Sequence, residues 1–92
     1  MIKNKIELKR GSEQMALLEW HRPDGQGGHI PLAIEFSDAL DPETRQRIVD
    51  ICHRPVNARE GGTLVKVLPG SSKHFLALPK VLERLGFRSR LF

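Results

Sequence analysis

The chain has 92 residues, of which 39% are hydrophobic and 28% are charged, and its net charge is +4. This length predicts a single domain, residues 1–92, near the lower limit for a fold stabilised only by its apolar core. The lone cysteine, Cys52, excludes an internal disulfide, which suits a reducing compartment. Dimerisation would be a natural way for so small a domain to gain stability.

No targeting or membrane segment is predicted from the sequence. Residues 1–10 are charged at alternate positions and lack the apolar stretch of a signal peptide. No apolar run approaches the roughly 20 residues that a membrane-spanning helix needs. We therefore expect a cytoplasmic protein that does not contact a membrane.

Charge is distributed unevenly along the chain. Residues 1–10 carry +3, residues 11–60 carry −4 and residues 61–92 carry +5. Two differently charged faces would result if the fold kept these segments apart, although an ordinary solvated surface explains the pattern as well. A dedicated nucleic-acid-binding protein is more often basic throughout, with interleaved aromatic residues. This chain has no tyrosine, four phenylalanines and one tryptophan.

The first third of the chain predicts an antiparallel meander of three strands. Apolar residues at alternate positions give Ile2–Lys9 and Ile30–Phe36 one apolar face each, which is typical of strands. Met15–His21 has apolar residues on both faces and could instead begin as a helix, but its short length and flanking turns favour a strand. The glycine-rich segment Asp24–Gly28 predicts a hairpin loop, because glycine permits positive φ. Lysines on the outer face of the first strand discourage further pairing, which favours a place at the edge of the sheet.

A helix is predicted to begin at Asp41-Pro42-Glu43-Thr44. Asp41 can accept hydrogen bonds from the free amides of the first turn, and Pro42 suits the first helical position. The helix should run to about His53 and end before Pro55, which cannot continue it. Its buried residues would be Ile48, Ile51 and Cys52.

The segment Thr63–Leu68 predicts a buried strand that follows a polar loop, Val56–Gly62. Together with Ile30–Phe36 and the intervening helix it would form a strand–helix–strand unit. Such a unit joins parallel strands by a right-handed crossover.

The last third contains a helical stripe of apolar residues that a proline interrupts. Pro79 removes a backbone donor and would cost about 3 kcal/mol inside a helix. We therefore expect a separate turn near Ser72–Ala77 and a helix from Pro79 to Leu85. Gly86 would end this helix with positive φ.

These elements predict a small α/β domain of the α+β kind, with two layers. The sheet would have about four strands in a mixed arrangement, beginning with the antiparallel meander and including the strand–helix–strand unit. Two helices would cover one face of the sheet.

Three stretches give the chain a resemblance to a known family: Ile34–Ser37, Gly61–Val67 and Val81–Phe87. Over about residues 30–92, their order resembles the second half of a STAS domain, the fold of bacterial anti-sigma factor antagonists. The resemblance implies a regulatory, non-enzymatic role. That family is usually regulated at a phosphorylatable serine where the helix begins, whereas this chain has Asp41–Thr44 there, with Thr44 as the one hydroxyl residue at an offset position.

Two candidate binding sites follow from the sequence. The turn formed by Gly70, Ser71, Ser72 and Lys73 could hold a phosphate or another anion with its amides, hydroxyls and lysine, although Ser72 as a helix N-cap explains the same residues. The second candidate is a basic patch at the two ends of the chain, with a solubilising outer face as the alternative interpretation. Its residues are Lys3, Lys5, Lys9, Lys80, Arg84, Arg88 and Arg90.

No catalytic residue, metal site or cofactor is predicted. The four histidines have spacings that match no known zinc pattern; His21 and His29 flank the hairpin loop, and His53 follows Cys52. A serine at 71 or 72 with His74 lacks an orienting acid. Cys52 is predicted to be buried, without the exposure that a nucleophile needs.

Three functional hypotheses remain open at this point. The first is a non-enzymatic regulatory or protein-interaction domain that binds itself or another protein. The second is a small nucleic-acid-binding protein that uses the basic N- and C-terminal segments. The third is an anion- or nucleotide-binding module at Gly70–Lys73.

Overall fold

The structure, a computed structural model, describes residues 3–22, 30–57 and 63–92. These residues form six strands and two helices. In chain order the elements are β1 (Lys5–Arg10), β2 (Glu13–Glu19), β3 (Leu32–Phe36), α1 (Pro42–Cys52), β4 (Arg54–Asn57), β5 (Leu64–Leu68), α2 (Ser72–Glu83) and β6 (Arg88–Leu91).

The strands form one sheet in the order β4-β5-β3-β2-β1-β6, and every pairing is antiparallel. Strands β4 and β6 are therefore its two edges. Because successive side chains of a strand point to opposite faces, the register fixes which residues share a face. One row on the covered face consists of Leu91, Ile6, Leu18, Ile34 and Val65. The neighbouring row on the open face consists of Arg90, Glu7, Leu17, Glu35 and Leu64.

Both helices pack on the covered face and share one core with the strands. The aromatic centre of this core is Trp20, whose ring centroid lies 5.5 Å from that of Phe75 on α2. The indole Nε1 of Trp20 donates to the carbonyl oxygen of Ile30 at 2.8 Å, so the polar atom of this buried residue is satisfied. The helices contribute Ile48, Val49 and Cys52 from α1 and Phe75, Leu78 and Leu82 from α2.

A bulge in β2 adds one more side chain to the core. Leu8 pairs with Ala16, but the next residue of β1, Lys9, pairs with Gln14. Met15 is the extra residue and is buried together with Ala16. A bulge of this kind turns two successive side chains away from strict alternation.

The predicted α+β class, the N-terminal antiparallel meander and the two helices are confirmed. The sheet nevertheless has six strands instead of about four, and the predicted parallel strand–helix–strand unit is wrong. The chain leaves α1 and forms β4, whose second half falls in the predicted loop Val56–Gly62, before it reverses into β5. As a result β5 pairs with β3 antiparallel.

The predicted edge position of β1 is also wrong, because β6 pairs along its outer side. Strand β6 lies beyond Gly86, where no strand was predicted. The predicted loop Asp24–Gly28, the first two residues of the chain and His29 lie outside the described residues.

Helix α2 corrects the prediction of a break at Pro79. The helix is continuous from Ser72 to Glu83 with Pro79 inside it. Proline removes the amide that would bond to the carbonyl of Phe75. Burial of Phe75, Leu78 and Leu82 on this helix opposes that cost, since each buried side chain of this size contributes about 1.5–3 kcal/mol.

The predicted start of α1 and the predicted positive φ of Gly86 are confirmed. Asp41 is the N-cap of α1, with Oδ2 accepting from the Thr44 amide at 3.0 Å and Oδ1 accepting from the Thr44 hydroxyl at 2.7 Å. Gly86 has φ of 94° in the turn after α2. Within the described residues, neither helix is long and apolar enough to span a membrane.

Candidate binding surface

Four of the seven residues of the predicted basic patch lie near each other on β1 and β6. The two strands pair so that Lys9 is opposite Arg88 and Glu7 is opposite Arg90. Lys5 lies on the same open face, opposite the last residue of the chain, Phe92. Lys3 is exposed just before β1. We call the four strand residues Lys5, Lys9, Arg88 and Arg90 the basic surface.

The other two residues of the predicted patch lie elsewhere. Lys80 is on α2, and Arg84 caps the end of that helix. Both are exposed, but they belong to the helical layer, which covers the opposite side of the sheet. The chain turns at Gly86 and returns as β6, so Arg88 and Arg90 do not continue the surface of α2 that carries Lys80 and Arg84.

The four cations of the basic surface differ in what they contact. The Nζ of Lys5 lies 3.4 Å from Oε2 of Glu19, and that of Lys9 lies 3.9 Å from Oε1 of Glu7. Among the described residues, Arg88 and Arg90 make no salt bridge. The guanidinium carbon of Arg90 lies 5.2 Å from the ring centroid of Phe92, whose side chain is 42% exposed. The two arginines are therefore the charges available to a ligand.

The position of β6 depends on the residues that hold it against α2. Phe87, just before the strand, is buried, and the guanidinium of Arg10 lies over its ring at 5.1 Å. The hydroxyl of Ser89 lies 2.9 Å from both the Pro79 carbonyl oxygen and Oε1 of Glu83. These contacts fix the strand from its covered face and leave its open face to the arginines.

The outer edge of β6 carries unpaired backbone groups. Lys5 and Phe92 exchange two hydrogen bonds, each 2.8 Å long. In an antiparallel pair, residues that exchange such bonds alternate with residues that do not. Arg90 and Arg88 therefore bond to β1, while the N–H and C=O groups of Ser89 and Leu91 point away from it. No strand of the described residues lies on that side. We call these outward groups the free edge.

A groove of about 500 Å³ lies where the basic surface meets the β1–β2 turn. Arginine side chains in such a groove favour carboxylate or phosphate, which they bind with two parallel hydrogen bonds. The lining residues are Glu7, Lys9, Gly11, Ser12, Arg88, Ser89 and Arg90.

The predicted anion site at Gly70–Lys73 forms the start of α2. The N-cap is Ser71, not Ser72 as predicted: its Oγ accepts a hydrogen bond from the His74 amide at 3.1 Å. Ser72 is instead the first residue of the helix, and Lys73 is exposed. The Ser71 hydroxyl thus serves the helix itself.

Cysteine and histidine form no metal centre within the described residues. Cys52 is fully buried, and burial raises the pKa of its thiol to about 12, which removes the thiolate needed for nucleophilic chemistry. His21 contacts Glu19 at 3.0 Å, and the rings of His53 and His74 lie 6.0 Å apart.

The free edge was not predicted from the sequence. Its signal was present in Arg88–Phe92, where charged or aromatic residues alternate with Ser89 and Leu91 directly after Gly86. Such alternation after a helix-ending glycine is typical of a strand.

A scan against models of protein families finds no match to the chain, and searches of the curated proteins and of the solved structures find none either.

Proposed function

We propose that this protein is a small, non-enzymatic interaction domain that holds a protein partner at β6 and the basic surface. A regulatory or binding role of this kind is also what the resemblance to STAS domains implies. The observation that carries the proposal is the coincidence of two unsatisfied features on β6. Its arginines have no carboxylate partner among the described residues, and its outer backbone groups have no neighbouring strand.

Unpaired strand edges are the feature by which extended segments of other proteins commonly bind to sheets. Proteins that do not use such an edge usually protect it with proline, a bulge, a covering element, a short strand or charged side chains. In β6 the residues from Arg88 to Leu91 include no proline and pair regularly with β1. Its charged side chains discourage indiscriminate pairing and favour a partner of opposite charge.

Nucleic acid would use the same arginines, but two observations weigh against it. Glu7 lies opposite Arg90 and two residues before Lys9 on the open face, where it would repel a phosphate backbone. Lys80 and Arg84, which the nucleic-acid hypothesis needs, lie in the other layer. A strip of contiguous cations is what backbone binding requires.

The experiment compares two matched double variants in affinity capture from a lysate, with and without nuclease treatment. Arg88→Gln with Arg90→Gln neutralises the basic surface, and Lys80→Gln with Arg84→Gln removes the same charge from α2. We expect one set of captured proteins with the unaltered domain and the α2 variant, and loss of that set with the β6 variant.

Each alternative result counts against the proposal. Equal capture by both double variants would place the binding surface elsewhere on the molecule. Capture that nuclease abolishes, with retardation of an oligonucleotide that weakens steeply as salt rises, would replace a protein partner by nucleic acid.

A further inference from the structure

We infer that the partner segment is an acidic, extended strand that pairs with β6 and extends the sheet to a seventh strand. This inference rests on the proposed function and specifies the chemistry of the partner. It predicts carboxylates at every second position of the segment, which face Arg88 and Arg90, with small or β-branched residues between them.

The spacing of the carboxylates follows from the geometry of β6. Arg88 and Arg90 lie two residues apart and therefore project from the same face of the strand. On an added strand the residues directly opposite them are also two apart and lie about 4.5–5.5 Å away. Opposite charges at such positions stabilise strand pairing, and arginine binds carboxylate with two hydrogen bonds.

The hydrogen bonds of the added strand would form at the free edge. Ser89 and Leu91 present their N–H and C=O groups outward, so the partner backbone bonds to these residues and not to the arginines. On the covered side the partner would meet Leu91, which is partly buried against the core. An apolar or β-branched side chain suits that position.

The same geometry disfavours a second copy of this chain as the occupant. An antiparallel register that pairs Ser89 of one copy with Leu91 of the other places the two Arg90 side chains directly opposite each other. Like charges at directly opposed positions destabilise strand pairing. A strand that carries acids avoids this repulsion.

The test uses the full-length protein and a synthetic peptide, acetyl-Thr-Val-Glu-Val-Glu-Val-Thr-amide. Binding is followed by ¹⁵N–¹H NMR and by hydrogen exchange. We expect the amides of Ser89 and Leu91 to show new protection, because they exchange water for a backbone acceptor. Two control peptides separate the contribution of the carboxylates from that of the backbone hydrogen bonds. One has glutamine for each glutamate, and the other is N-methylated on the amides that face β6. We expect the first to bind about three- to tenfold more weakly and the second at least about tenfold more weakly.

A pair of protein variants tests the free edge from the other side. Ser89→Ala and Ser89→Pro both remove the hydroxyl, but only proline removes the outward N–H. Proline is tolerated on an edge strand where its nitrogen faces solvent. We expect Ser89→Ala to keep the binding of the peptide and Ser89→Pro to abolish it, with both variants folded by circular dichroism.

Three results would overturn the inference. Equal binding by Ser89→Ala and Ser89→Pro would mean that the arginines attract the peptide without strand addition. Self-association that Ser89→Pro abolishes would make a second copy the occupant. No binding of any peptide, together with capture of a protein that depends on the arginines, would leave the proposed function standing and reject an acidic strand as its ligand.

Discussion

Each edge strand of the sheet follows a helix, β4 after α1 and β6 after α2, but the two edges differ in how they meet solvent. β4 contains Pro55, and its register with β5 is irregular between Pro55 and Asn57. Both features protect an edge from further pairing. β6 has neither feature and carries two arginines instead.

The turns that lead into the two edges differ as well. After α1 the chain turns at His53, with φ of 124° and ψ of −142°, whereas after α2 it turns at Gly86, with φ of 94°. Glycine adopts such conformations readily, and a histidine there is strained. The turn into β4 is therefore strained at His53, whereas glycine leaves the turn into β6 unstrained.

The largest effect should come from loosening β6 from the core. Phe87 is 3% exposed and Phe92, just after the same strand, is 42% exposed. We expect Phe87→Ala to lower the free energy of unfolding by about 3–5 kcal/mol, through lost burial and the cavity left behind. Phe92→Ala should cost at most about 0.5 kcal/mol. Urea denaturation of both variants measures the difference, and equal losses would show that β6 is not anchored at Phe87.

The next effect should appear at the two turns, with opposite signs. Gly86→Ala should lower the free energy of unfolding by about 1–2 kcal/mol, because an L-residue is strained at this φ. A Cβ there would contact nothing within 4 Å, so the conformation alone opposes the change. His53→Gly should raise the free energy of unfolding by roughly 1 kcal/mol, because relief of strain exceeds the added flexibility of glycine.

Gly70→Ala is the control for the turn variants. Its Cβ would make ordinary contacts with His74 at 3.8 Å, and no positive φ opposes it. We expect this variant to be neutral or to gain about 0.4–1 kcal/mol. Equal stability of Gly86→Ala and Gly70→Ala in thermal and urea unfolding would mean that the positive φ of Gly86 does not oppose a side chain.

The contrast between the edges also shows what the sequence could and could not reveal. Asp41-Pro42 and Gly86 act through their immediate neighbours, so cap and turn chemistry predicted the start of α1 and the end of the α2 region. The alternation in β1 and β3, and the short length and flanking turns of β2, likewise predicted the meander. Such features are decided within a few residues of the chain.

The features that escaped prediction are those that distant residues decide. Pro79 stays inside α2 because Phe75, Leu78 and Leu82 pack against the sheet. Arg54–Asn57 becomes a strand because β5 offers it a partner. The basic surface was only half predicted: its residues were named from charge, but their meeting depends on β6 returning to pair with β1, which no local pattern specifies.

A smaller effect should follow from opening the β4 edge. We expect Pro55→Val to lower the free energy of unfolding by about 0.4–1 kcal/mol, because valine makes the unfolded chain more flexible than proline does. The variant should also self-associate more than the unaltered protein in sedimentation velocity, since an unprotected edge favours pairing. Val56→Thr changes the neighbouring exposed residue and keeps the proline, so it should not associate. A monomeric Pro55→Val would mean that Pro55 is not what protects β4.

The smallest effect concerns the N-cap residues of the two helices that precede the edge strands, and how their contribution to stability depends on pH. Hydrogen bonds from the hydroxyl and amide of Thr44 hold the pKa of Asp41 below its ordinary value of 3.8. Because the folded-state pKa is the lower one, the contribution of this carboxylate is complete above the ordinary value and is lost as pH falls through the folded-state pKa. Ser71, the cap of α2, has no such dependence. Urea unfolding between pH 7 and pH 2 should therefore show a shallower acid loss in Asp41→Asn, which still caps the helix, than in the unaltered protein. Ser71→Ala should lose about 1 kcal/mol of unfolding free energy at every pH. An unchanged acid slope in Asp41→Asn would mean that α1 and α2 respond to acid alike. In that case the charge on the α1 cap would not distinguish the β4 side of the molecule from the β6 side.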